Sequence, residues 1–145
     1  MRGPNPNSKF KNLGVLTLPF GAPTPGSKEP VHEGIDFANE QGTPIPAVVG
    51  GVVTQTDAGH VHGENNLGNN IEITDMYGNR HQYNHLQNIG VKSGQQVQKG
   101  QQVATMGNSG AAFSKSGQGD GSHLDYRIVN AFGRYKNPMI YLRNF

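Results

Sequence analysis

Glycine and proline punctuate this chain so often that only short extended segments can form between them: 145 residues contain 21 Gly and 9 Pro. No well-capped stretch repeats apolar residues with a period of 3.6, so the sequence predicts strands and loops without a long helix. Leu13 to Phe20 is the first candidate strand, and residues 21–30 read as a loop. Residues 43–55 hold a β-branched run split by Gly50 and Gly51, a pair that signals a bulge or a sharp bend. Residues 56–69 read as a polar loop. Asn70 to Thr74 alternates, with Ile71 and Ile73 on one face. Asp75 to Asn79 is a turn, and Arg80 to Leu86 returns as the partner strand of a hairpin. Gly94-Gln95-Gln96-Val97 is echoed by Gly100-Gln101-Gln102-Val103. Two copies are too few for a solenoid, and each reads as a tight turn followed by a valine entering the core. Gly107 to Gly121 is a glycine-rich, mobile loop, and His123 to Val129 is strand-like. Met139 to Leu142 closes the chain as an apolar turn or short helix. The expected class is all-β with antiparallel pairing.

The length suits one domain with a real core, assigned to residues 13–145, with residues 1–12 as a polar N-terminal arm. A net charge of +2 is too mild to point to nucleic acid. The chain has no cysteine, which excludes a disulfide frame and a thiolate metal site, so any metal must sit on nitrogen and oxygen. No run approaches about 20 apolar residues, so no membrane span is expected. No apolar segment follows Arg2, so no signal peptide is expected. Action outside a cell would then need lysis, a virion or a dedicated export machine.

Three separated segments carry the chemistry. His32 and Asp36 are four apart around Gly34 and Ile35, which disfavour a helix; in an extended segment the two side chains share a side. His123 and Asp125 are two apart in a strand and share a face. His85 has the parity of His81 and Tyr83, a row of polar rings that suits either a solvated face or a groove wall. His60 and His62 also form a His-x-His pair, but in a polar loop where no carboxylate partner can be placed, and they are set aside. His-Glu-x-x-His is missing, which excludes a helix-borne zinc site. The remaining inventory is that of a hydrolytic zinc centre with an open coordination position.

In order and surroundings, these segments resemble the lysostaphin-type zinc endopeptidases, which cut peptide bonds in bacterial peptidoglycan. The likeness runs from about Leu18 to Val129. It is carried by Leu18-Pro19-Phe20-Gly21, His32-Glu33-Gly34-Ile35-Asp36, Tyr83-Asn84-His85-Leu86, Met106-Gly107-Asn108-Ser109-Gly110 and Ser122-His123-Leu124-Asp125. The resemblance implies a small antiparallel two-sheet β-sandwich or barrel-like hybrid with long loops around a groove. It implies one Zn2+ held by His32, Asp36 and Asp125, with His85 and His123 as unbound catalytic imidazoles. Tyr83 would either add a hydrogen bond at the groove edge or pack.

Two positions depart from the family pattern. Asp125 stands where the family has a ligand histidine. Arg127 stands where it often has Glu, and can either pair with Asp125 in a metal-free site or orient it. The alternative is therefore a degenerate, non-catalytic structural or peptidoglycan-binding domain of a phage tail. A lipoyl- or biotinyl-carrier reading fails because neither Lys92 nor Lys99 sits on the required hairpin tip. The expected setting is a phage-encoded wall hydrolase, carried in the virion or released at host lysis. Its partners would be peptidoglycan peptides and, through the arm, other tail proteins.

Overall fold

The computed structural model describes residues 12–27, 29–112, 119–143 and 145. All of the expected arm but Asn12 lies outside these residues, as does the middle of the expected 107–121 loop, residues 113–118. The elements are β1 (Val15–Leu18), β2 (Ile35–Ala38), β3 (Pro44–Pro46), β4 (Gly51–Asp57), β5 (Asn69–Thr74), β6 (Arg80–Ile89), β7 (Gln96–Val97), β8 (Gln102–Met106), β9 (His123–Val129), β10 (Tyr135–Lys136) and α1 (Met139–Leu142). The fold is all-β and antiparallel, as expected. Among the described residues, no helix is long and apolar enough to cross a membrane.

The main path of neighbours is β1-β2-β9-β6-β5-β4-β7, with β10 beside β9, and β8 between β6 and β3. β6 is the branch point. Arg80 to Asn84 pair with β9, and Leu86 to Ile89 pair with β8. Strand alternation explains the layering. Ile35 and Phe37 of β2, and Leu124, Tyr126 and Ile128 of β9, are fully buried in the core. Asp36, Asp125 and Arg127 alternate with them and take the opposite face. Each buried aliphatic or aromatic side chain stabilises the fold by about 1.5–3 kcal/mol. A one-residue slip would exchange the faces. The register sets Asp36 opposite Asp125, and Asp125 opposite Asn84, so polar residues of β2, β9 and β6 lie abreast.

The glutamine echo is structural. Gly94 N–H donates to Val53 O and Val53 N–H to Gln95 O, at 2.7 and 2.8 Å. Gly100 N–H and Ala47 O repeat this pairing, with Ala47 N–H donating to Gln101 O, both at 2.8 Å. The two turns dock the same way on two residues that are themselves six apart, and Val97 and Val103 enter the core.

Two local expectations change. β4 continues through Thr56 and Asp57, which read as loop, because these residues pair with Ile71 and Asn70 of β5. His81 does not face solvent: it is 0% exposed. Its Nδ1 lies 2.6 Å from the Tyr126 hydroxyl and its Nε2 3.0 Å from Asp75 Oδ2. The tautomer that satisfies every group has Tyr126 O–H donating to Nδ1 and Nε2–H donating to the carboxylate.

Candidate metal centre

His32 is fixed by its own backbone. Its N–H donates to Ala22 O and its carbonyl accepts from Gly21 N–H, each at 2.8 Å, which ties the segment to the preceding loop. The ring's Nε2 then lies 2.9 Å from Asp36 Oδ1 and 4.0 Å from Asp125 Oδ1. One ligand atom from each of the three residues falls within 4.8 Å of the others.

Asp125 reaches this position because residue 34 has no side chain. A Cβ at Gly34 would lie 2.6 Å from Asp125 Oδ1 and 2.6 Å from Arg127 Cγ. The glycine is the cradle into which the carboxylate fits.

Two imidazoles stand beside the trio. The His85 and His123 ring centroids are 4.7 Å apart, and His123 Nε2 is 3.9 Å from Asp36 Oδ2. His123 Nδ1–H donates to Gly121 O and His85 Nδ1–H to Ser109 O, both at 2.8 Å. Each ring thus commits Nδ1 to a carbonyl and keeps Nε2 as a lone-pair donor. The five residues singled out in the sequence therefore converge.

His85 arrives by breaking strand alternation. Tyr83, of the same parity, is fully buried, and its hydroxyl accepts from Val48 N–H at 2.9 Å, so it packs rather than edging a groove. His85 has φ 64, a left-handed conformation unusual outside glycine, which turns its ring away from Tyr83's side towards His123. The Ser109 carbonyl beneath it is set where two loops touch. A Cβ at Gly110 (φ 73) would lie 2.4 Å from Gly68 N.

Charge and burial act differently on the imidazoles. Burial pushes the His85 pKa down, and the neighbouring His123 adds to this, so His85 is neutral near pH 7. Burial also opposes protonation of His32, but the hydrogen bond and charge of Asp36, with the charge of Asp125, lift its pKa above the ordinary value.

One imidazole nitrogen and two carboxylate oxygens suit a borderline divalent ion such as zinc, and both spacings from His32 can be spanned by bonds of about 2.0–2.2 Å. The two carboxylates balance the charge of such an ion. The chain's residues fit the group.

Arg127 engages Asp125, as its place two residues further along the strand suggested, and several other participants were not singled out in the sequence. Arg127 holds both Asp125 oxygens and also Glu29. Ser109 orients His85. Asn84 is buried, with an Nδ2 that has no partner among the described residues. It lines a cavity of about 350 Å³ that opens over β4, β5 and β6 beside the trio, with Gln55, Asp57 and Glu72 on its walls. His60 does have carboxylate partners: Glu64 Oε2 lies 2.8 Å from Nδ1 and Asp57 Oδ1 3.0 Å from Nε2. They sit on opposite ring nitrogens, so the three cannot converge on one ion.

The model of peptidase family M23 matches residues 30–138. The peptidoglycan DD-endopeptidase ShyA of Vibrio cholerae is 36% identical over 110 residues, covering 74% of this chain and 22% of that protein. The catalytic domain, as a point mutant, of a prophage-encoded M23 protein from Enterococcus faecalis superposes with a TM-score of 0.67 at 30% identity, covering 86% of this chain and 88% of that one. A zinc-containing peptidase from Vibrio cholerae superposes with a TM-score of 0.69 at 26% identity, covering 87% and 36%. The chain spans less than a third of the length of the curated relatives it matches, 22% to 29% among six of them.

Proposed function

This chain belongs to peptidase family M23, and from that premise we propose that it is a zinc-dependent endopeptidase that hydrolyses peptide bonds in bacterial peptidoglycan. The observation that carries the reading is the convergence of His32, Asp36 and Asp125, with two unbound imidazole Nε2 atoms beside them. In this reading His32 Nε2 and one oxygen each of Asp36 and Asp125 hold the ion. Bound zinc supplies Lewis acidity towards the scissile carbonyl and the attacking water.

The chain's own groups handle the protons. His85, kept neutral by burial and fixed through Ser109, accepts a proton from the attacking water at Nε2. That proton is returned to the departing amine nitrogen as the C–N bond breaks. His123, across from His85 and near Asp36, turns its Nε2 towards the developing oxyanion and positions it. The cavity beside Asn84 takes one flank of the peptide, whose carbonyl meets the unpartnered Nδ2.

Residues 13–145 constitute the peptidase domain in this proposal, and residues 1–12 an arm that docks on tail proteins. The gene is a phage gene, and the product is carried in the particle or released at lysis. The likeness to a prophage-encoded M23 protein is the observation behind the phage origin in this proposal.

Metal analysis of the purified protein, followed by release of peptides from isolated cell walls, tests the proposal. His32→Ala and Asp36→Ala should lose stoichiometric zinc. His85→Ala and His123→Ala should keep it and lose turnover by at least about 100-fold. Full zinc occupancy with no cleavage of any peptidoglycan type would overturn the hydrolase reading in favour of wall binding.

A further inference from the structure

We propose that Arg127 and Glu29 form an outer clamp that makes Asp125 a metal ligand: Arg127 fixes the carboxylate, and Glu29 offsets the guanidinium's charge towards the ion. The inference rests on the metal-centre reading above. It concerns two residues that contact no substrate and act through Asp125, as positioning residues.

The geometry is specific. Arg127 Nε lies 3.1 Å from each Asp125 oxygen, and Nη2 lies 2.8 Å from Oδ2 and 3.2 Å from Glu29 Oε2. The side chains of Arg127 and Asp125 are only 12% and 4% exposed, so water cannot substitute for either partner. Glu29 reaches behind both ligands. Its Oε1 accepts the Glu33 N–H and lies 3.7 Å from His32 Nδ1, while its Oε2 holds the guanidinium.

A lone aspartate carboxylate rotates broadly about its last torsion, and that freedom would be lost on binding an ion. The guanidinium fork removes it beforehand. Oδ2 takes the shorter Nη2 bond, and Oδ1 remains the oxygen towards His32, 4.0 Å from Nε2. Gly34 belongs to the same device, since a Cβ there would strike both Arg127 Cγ and Asp125 Oδ1.

Formal charge explains Glu29. Asp36, Asp125 and Glu29 against Arg127 leave two negative charges, the complement of a divalent ion. Without Glu29, only one net negative charge would face the divalent ion. An arginine side chain is cationic at any working pH, so the clamp keeps its charge.

The rival is a lock: the guanidinium would occupy Asp125 in place of the metal, and removing it would free a ligand. The two readings predict opposite signs. Zinc affinity is measured by competition with a chromophoric chelator on the full chain, and ligand geometry from the visible absorption of the cobalt(II)-loaded protein. The clamp predicts that Arg127→Met and Arg127→Lys weaken zinc by about 10–100-fold and alter the cobalt spectrum. Lys keeps the charge but not the fork. Glu29→Gln should weaken zinc in the same direction although its charge change is opposite to that of Arg127→Met. Zinc binding that is unchanged or tighter in both Arg127 variants overturns the clamp and supports the lock. Unchanged affinity in Glu29→Gln overturns the role of Glu29.

Thermal unfolding in excess chelator reads the fold alone. If Arg127→Met does not fold, Arg127→Lys and the double variant Glu29→Gln/Arg127→Met, which leaves no unpaired charge between them, decide the sign. A wild-type protein that binds no zinc would instead sink the metal-centre reading itself, and this inference with it.

Discussion

At the residue scale, the site works by giving chemically similar side chains unlike surroundings. His85, His81 and His32 are all largely buried, yet only His32 faces two carboxylates without a competing imidazole. His81 is the cleanest to test because it lies away from the trio. Burial pushes its pKa down despite the Asp75 carboxylate, so it is neutral when folded and regains an ordinary value near 6.5 when unfolded. The unfolded chain then binds the extra proton. The stability contribution is full above about pH 6.5 and is lost as pH falls towards the folded pKa. Melting curves between pH 7.5 and 5 in chelator should therefore show wild type losing stability more steeply than His81→Gln. The variant should start about 1–3 kcal/mol lower, because it leaves Tyr126 or Asp75 without its partner. Equal slopes would remove His81 as the titrating group.

At the element scale, β9 is one strand with two jobs, since Leu124, Tyr126 and Ile128 face the core while His123, Asp125 and Arg127 face the site. Leu124→Ala should cost about 2–5 kcal/mol in denaturant unfolding, and zinc affinity should fall with it, although Leu124 touches no ligand atom. Retained affinity at reduced stability would show that the site does not depend on this packing. The same alternation made most of the architecture legible in the sequence. Hairpin β5–β6, strand β9, the buried echo valines and the closing helix all follow from patterns within a few residues. Spacing put His32 with Asp36 and His123 with Asp125 on common faces, and only the resemblance to a known family joined the two pairs into one candidate site. Parity grouped His85 with His81 and Tyr83, and only a left-handed backbone at residue 85 separates them. Glu29 was invisible because its partner Arg127 is 98 residues away. His60 could have been read more fully, because Asp57 and Glu64 flank it three and four residues away.

At the scale of the whole molecule, the proposed metal centre would make ion binding and folding one equilibrium. The three proposed ligands come from a loop, β2 and β9, and no unfolded chain presents them together. Free zinc at about 1,000 times its dissociation constant should add about 4 kcal/mol to stability, a rise in melting temperature of about 10 °C for a chain of this size. Calorimetry with zinc against chelator measures it, and His32→Ala should abolish the difference. An unchanged midpoint in wild type would mean that the trio binds no ion in the folded state. The melting profile belongs to this chain alone, which corresponds to less than a third of its curated relatives' length.

The branching of β6 ties these scales together. Tyr83 in the core, Asn84 at the cavity and His85 at the trio are consecutive residues of a strand bonded to β5, β8 and β9. Tyr83 and Asn84 sit in the ladders to β5 and β9, whereas the His85 N–H donates to Leu67 O, in the loop before β5, at 2.9 Å. The His85 amide should therefore exchange with solvent sooner than that of Tyr83, and opening of that one loop would disturb the chemistry while the interior stays shut.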